Sequence, residues 1–160
     1  MSGVVGPMVL AVDPGHHTGL AVFAHDGDRW SCRWVTQVTG GVPAFLDAVD
    51  PWVSEGRVGR FVVETFLLRS DLAREQSGSD MPSSRVIGAV EVVAWATGIP
   101  VSWQAPAVQR PAAGWCRARG VVLLSEAEGA VPHGRSAELH GWAWTAKNPT
   151  PIVASNGTAW

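Results

Sequence analysis

Two acidic residues stand where short apolar runs end. Asp13 follows the apolar run Met8-Val-Leu-Ala-Val12, and Glu64 closes Gly59-Arg-Phe-Val-Val-Glu64. A carboxylate at the mouth of a hydrophobic strand is costly to hold unless something pairs with it. A bound divalent cation is one such partner. For Asp13 the alternative is a plain turn cap, since Pro14-Gly15 follows at once and signals a turn. If the two runs are neighbouring parallel strands, their backbones lie ~4.8 Å apart. Two carboxylates that close repel unless one is protonated or a cation sits between them. The pair therefore points to a metal site at one end of a sheet.

The surrounding elements must deliver that geometry. Met8 to Val12 is apolar throughout, the pattern of a strand buried on both faces. Leu20 to Phe23 returns as a second strand, and His25-Asp-Gly-Asp28 reads as a hairpin turn. Arg29 to Val38 alternates loosely, which makes a third strand and an antiparallel β-meander. Gly40-Gly41 breaks it. From Val42 to about Gly56, Phe45, Leu46, Val49, Trp52 and Val53 follow helical spacing. Pro51 should kink that helix or end it. A strand that follows such a helix lies parallel to an earlier one, so Gly59–Glu64 is placed beside the first strand.

Farther on, Phe66 to Ser84 is polar and irregular, a long loop of the kind that is functional or disordered. Arg85 to Gly98 is a helix with Val86, Ile87, Val90, Val93, Ala94 and Trp95 on its apolar face, and Gly98 stops it. Ile99–Trp103 is a further strand, and Gln104 to Arg110 follows at its end, which brings Arg110 near the carboxylates. Pro111 to Gly120 holds Trp115, Arg117 and Arg119, either a basic-aromatic cluster or an ordinary amphipathic segment. Val121 to Glu128 is ambiguous between strand and helix. A last helix runs from about Arg135 to Lys147, with His133, Ser136 and His140 on one face. Residues 148–160 read as a flexible tail, so the expected organisation is a domain over 1–147 and a tail over 148–160.

Composition sets the outer bounds. A chain of 160 residues with 46% apolar and 16% charged residues is expected to fold as one domain. No apolar run reaches the ~18 residues of a membrane span, and the N-terminus lacks the basic flank of a signal peptide. Cys32 and Cys116 have no metal-ligand spacing, which fits a reducing compartment and a cytoplasmic location. The net charge of −2 does not announce nucleic acid. Eleven of the 12 basic residues are Arg, a skew that genome composition can also produce.

The order β-β-β-α-β-α-β-α, with acids closing the first and fourth strands, resembles the RNase H-like superfamily. Its fold is a mixed five-stranded α/β sheet, antiparallel over the first three strands, then parallel, and flanked by helices. Within it, Val9-Leu-Ala-Val-Asp-Pro-Gly-His-His-Thr-Gly-Leu-Ala-Val-Phe23 is similar to the opening of RuvC-type Holliday junction resolvases, particularly the short phage-encoded members. Phe61-Val-Val-Glu-Thr65 resembles their second acidic strand. Ile87 to Val101 resembles their central helix and next strand, and Trp103 to Arg110 the segment that ends in a basic residue. The resemblance spans roughly Met8 to Lys147.

It implies a structure-selective endonuclease that hydrolyses phosphodiesters in branched DNA: four-way junctions, and flaps or forks. It further implies a homodimer, two Mg²⁺ or Mn²⁺ ions per site, and a place in the host cell cytosol if the protein is phage-encoded. Asp13 and Glu64 would bind metal, with His133 and either Ser136 or Glu138 completing the set. Arg110 would support the scissile phosphate, and the loop after Phe66 would approach the branch point.

The last motif departs from the family pattern. Phage members carry a His, an Asp three residues later, then Ala; here His133-Gly-Arg-Ser136-Ala137 has Ser at the Asp position. A hydroxyl is a poorer Mg²⁺ ligand than a carboxylate, and His133 suits Mn²⁺ better. Glu138 lies two residues on, ~200° around a helix, so it could serve only if the helix began late or shifted register. The resemblance is thus compatible with a weakened nuclease, a nuclease using Glu138, or a junction binder that does not cut. An actin-like ATPase needs a second lobe for which the chain has no room. The ribosomal-RNA-processing nucleases share the first motif, but the Ile87–Val101 block leans to the resolvases.

Overall fold

The computed structural model describes residues 6–65, 81–127, 129 and 131–153. The segment 66–80, expected as most of the long loop, lies outside the described residues. The first apolar run forms β1 (Met8–Asp13). β2 (His17–His25) and β3 (Trp30–Thr39) follow as an antiparallel meander. α1 (Gly41–Ser54) leads to β4 (Val58–Glu64), which pairs in parallel with β1. α2 (Pro82–Thr97) leads to β5 (Val101–Gln104), parallel to β4. The sheet order is β3-β2-β1-β4-β5, so β1 sits in the middle and both its faces are covered. A 3₁₀ turn (Pro106–Val108), α3 (Gln109–Ala118), the short α4 (Leu124–Ala127) and α5 (Pro132–Lys147) complete the chain.

The two faces carry separate cores. Leu10, Val12, Leu20, Val22, Phe61 and Val63 pack against Phe45 and Val49 of α1 and Val86, Val90 and Ala94 of α2. On the other face Val9, Ala11, Ala21, Phe23 and Val62 meet Ala112 and Cys116 of α3 and Leu139 and Trp142 of α5. Alternate residues of β1 thus feed opposite cores, which is why the run is apolar throughout. Cys116 is buried and its thiol is pushed up to about 11, so it is inert packing. No helix of the described residues is long and apolar enough to cross a membrane.

Several boundaries move. Pro51 lies inside α1 rather than ending it. Gly98 does stop its helix, in a left-handed conformation with φ of 70°. β2 is longer than its apolar stretch because its polar end is satisfied: buried His25 places Nε2 2.9 Å from the Pro149 carbonyl and takes the Gly27 N–H at 3.0 Å on Nδ1. Trp30 likewise donates its indole N–H to the Asn148 carbonyl at 2.7 Å. Residues 148–153 therefore run against the sheet, and Ile152 packs on its core. α5 starts at Pro132, ahead of the expected Arg135, with proline at its first position. That early start decides which way its side chains face.

Candidate active site

Register places the two acids. Val12 pairs with Val63 on parallel β1 and β4, so Asp13 and Glu64 come next, side by side at the same sheet end. The turn after Asp13 is closed by Thr18, whose hydroxyl donates to the Gly15 carbonyl at 2.7 Å. The carboxylate of Asp13 is turned elsewhere, toward α5, and the residue is only 8% exposed. His133 Nδ1 lies 2.9 Å from Asp13 Oδ2.

Close backbone approach holds α5 there. A Cβ on Gly19 of β2 would overlap the His133 carbonyl, and one on Gly134 would lie 3.0 Å from the Thr36 carbonyl oxygen of β3. The His133 N–H also donates to Gln37 Oε1 at 3.1 Å. The first turn of α5 thus rests directly on β2 and β3 and delivers His133 to Asp13.

Glu64 meets a different group. Its Oε2 is approached by His140 Nε2 at 2.6 Å, Gln109 Nε2 at 2.7 Å and the Ser136 hydroxyl at 3.2 Å. Gln109 also donates to Ser136 Oγ at 2.8 Å, so that hydroxyl accepts from one residue while donating to the other. His140 is fully buried, and its Nδ1 lies 2.7 Å from Gln104 Oε1.

The two carboxyls are tuned apart. Burial, and then the neighbouring Glu64 charge, raise Asp13 above the usual carboxylate range, against the opposing pull of His133 and Ser136. Burial also pushes Glu64 upward, but the bonds from His140, Gln109 and Ser136 outweigh it, and Glu64 is held below its ordinary value. The shared site thus shifts its two carboxyls in opposite directions, Asp13 upward and Glu64 downward.

Asp13, Glu64, His133 and Ser136 are brought together; Glu138 and Arg110 are not. Because α5 begins early and keeps its register, Glu138 stays on the opposite face. It is fully buried and accepts the backbone N–H groups of Leu124 at 2.8 Å and Ser125 at 2.9 Å, which caps α4. In this structure the Glu138 carboxylate is thus turned to α4 and Trp142, away from Asp13 and Glu64. Glu138→Ala should strand those N–H groups and the Trp142 indole, lowering unfolding free energy by about 2–4 kcal/mol in urea titration. Arg110 is exposed, with no hydrogen bond or ion pair to another described residue; its neighbour Gln109 enters the site instead. His140, Gln109 and Gln104 are the residues around Glu64 that sequence reasoning did not select as site residues. The shared helix face of His133, Ser136 and His140 was the available signal for the first of them.

The donor set fits a hard divalent cation. Mg²⁺ is commonly held by one or two carboxylates, with water and substrate phosphate filling the rest, and Asp13 and Glu64 supply that pair. Ser136 supplies a hydroxyl rather than a carboxylate beside them, and His133 stands against Asp13. Among the described residues no group of three His, Cys, Asp or Glu side chains is arranged as a metal cage.

No protein-family model matches the chain. No curated protein matches it either. Solved structures share its fold, among them two of RuvC. Thermus thermophilus RuvC in complex with Holliday junction substrate superposes with a TM-score of 0.57 at 21% identity, covering 91% of this chain and 99% of that one. A second T. thermophilus RuvC structure gives a TM-score of 0.50 at 19% identity, with the same coverage. The chain therefore has a RuvC-like fold over nearly its whole length.

Proposed function

We propose that this protein is a structure-selective endonuclease that hydrolyses phosphodiesters in branched DNA. One observation carries the reading: two carboxylates at the ends of adjacent parallel strands, with His133 bonded to the first, in a RuvC-like fold. The likeness to a RuvC bound to Holliday junction substrate supports a four-way junction as the DNA taken; flaps and forks are further candidates. Asp13 and Glu64 would hold Mg²⁺ or Mn²⁺. Bound there, a divalent ion would generate the attacking hydroxide and stabilise the charge on the phosphate. His133 orients Asp13, the hydrogen bonds of Gln109 and Ser136 orient Glu64, and exposed Arg110 is free to meet a phosphate.

A homodimer belongs to the same reading. Val92 and Trp95 of α2 are 64% and 86% exposed and lie on the covering layer of the sheet, and Leu46 of α1 is 38% exposed. Such an apolar face suits a second copy of the chain. Action in the cytosol of a host cell, on behalf of a phage, is the corresponding biological setting.

A second reading is favoured by Ser136: a junction binder with weak or no cleavage. Cleavage of a synthetic four-way junction on a denaturing gel, in Mg²⁺ and separately in Mn²⁺, separates the two. Paired symmetric nicks by the wild type establish the nuclease. Cleavage by Ser136→Asp alone establishes the binder. If neither protein cuts or retains the junction in a mobility-shift assay, both readings fall.

A further inference from the structure

We propose that Glu64 is committed on one oxygen to the protein itself, so that this site takes a single divalent ion, with His140 closing the position a second ion would use. The proposal rests on the metal-dependent reading above and concerns how many ions that site accepts. A carboxylate oxygen has about two lone-pair directions. Glu64 Oε2 already faces three donors: His140 Nε2, Gln109 Nε2 and Ser136 Oγ, at 2.6, 2.7 and 3.2 Å. No direction of that oxygen is left for a cation. What remains are the other oxygen of Glu64 and the oxygen of Asp13 that does not face His133, one from each strand, which is a ligand pair for one ion.

The closure is built from three elements. His140 comes from α5, Gln109 from α3, and Gln104 from β5, where it pairs directly with Glu64 across the ladder. His140 has no solvent exposure, and Gln104 Oε1 at 2.7 Å fixes its other ring nitrogen. The ring cannot swing away without stripping its own two buried nitrogens of their partners, so the contact to Glu64 is held rather than incidental. Ser136 fits the same account. Where a third carboxylate would feed a second ion, a hydroxyl instead bridges Gln109 and Glu64. His140 acts through Glu64 and is a positioning residue.

The test counts metal without DNA. Wild-type protein is titrated with Mn²⁺ by calorimetry and followed by electron paramagnetic resonance. The expected result is one equivalent per chain and the hyperfine-split spectrum of isolated Mn²⁺. Two equivalents, or the spin-coupled spectrum of ions ~4 Å apart, overturns the single-ion proposal while leaving a metal-dependent nuclease standing. Absence of any binding overturns the proposal and the metal-dependent reading together. The double variant Ser136→Asp with His140→Leu leaves Gln109 as the one donor on Oε2, opens its other direction and adds a carboxylate, and it should take a second equivalent with a coupled spectrum. If that folded variant still binds one ion, His140 does not close the position. The wild-type count decides the proposal if the variant fails to fold.

Discussion

Asp13→Asn is expected to lower cleavage of a four-way junction by on the order of 10³-fold or more, with junction affinity nearly unchanged. Each ~1.4 kcal/mol removed from transition-state stabilisation is tenfold in rate, and a metal-polarised phosphate is stabilised by several kcal/mol. An amide has the carboxylate's shape but not its charge, so on the proposed metal-dependent reading the variant would lose the ion and keep the fold. The same variant should be the more stable protein at neutral pH. Asp13 is raised by burial and by Glu64, so ionising it costs the folded state more than the unfolded chain. The contribution of Asp13 to stability is therefore greatest at acid pH and declines as pH rises from the ordinary value of 3.8 through the raised folded value. Asp13→Asn removes that decline. A higher Tm for Asp13→Asn is expected at pH 7, and the difference should vanish toward pH 3. Thermal melts across pH check it. Equal melting of the two proteins at pH 7 would remove the claim that burial and the Glu64 charge penalise ionised Asp13.

Gly19→Ala should be the most damaging small substitution at the site. The added Cβ would overlap backbone atoms at His133 and Gly134, and backbone cannot rotate aside as a side-chain end can. Either β2 separates from α5 or the first turn of α5 unwinds. The expected loss is about 3 kcal/mol or more, a Tm decrease of roughly 6–12 °C. At a temperature where the variant is still folded, Mn²⁺ affinity should also fall, because His133 no longer holds Asp13 in place. A variant with unchanged metal affinity and only a lowered Tm would show that the contact matters for stability alone.

The sheet was legible because its signals are local. Apolar runs, turn residues and the helix between the third and fourth strands specify an antiparallel meander followed by a parallel strand. The pairing of Asp13 with Glu64 follows from that topology, since each acid ends its own strand. Element ends were less legible. The proline at position 132 starts α5 earlier than its apolar spacing suggests, and His25 prolongs β2 because a carbonyl 124 residues away in sequence satisfies it. The fate of Glu138 turned on the first of these, because a helix that begins early and keeps register points that side chain at α4.

By itself, then, the sequence of this protein determined the fold class and the two acids at the sheet's end, because strand burial and chain-reversal rules act over short stretches. Only the tertiary structure decided what each acid touches. His133 reaches Asp13 across 120 positions, and His140 and Gln109 reach Glu64 across 76 and 45. Those contacts depend on how α5 and α3 seat against the sheet, through close approaches such as Gly19 on His133. Such packing leaves no periodic trace in the chain, and it is what distinguishes a bare carboxylate pair from one whose second member is already held by the protein.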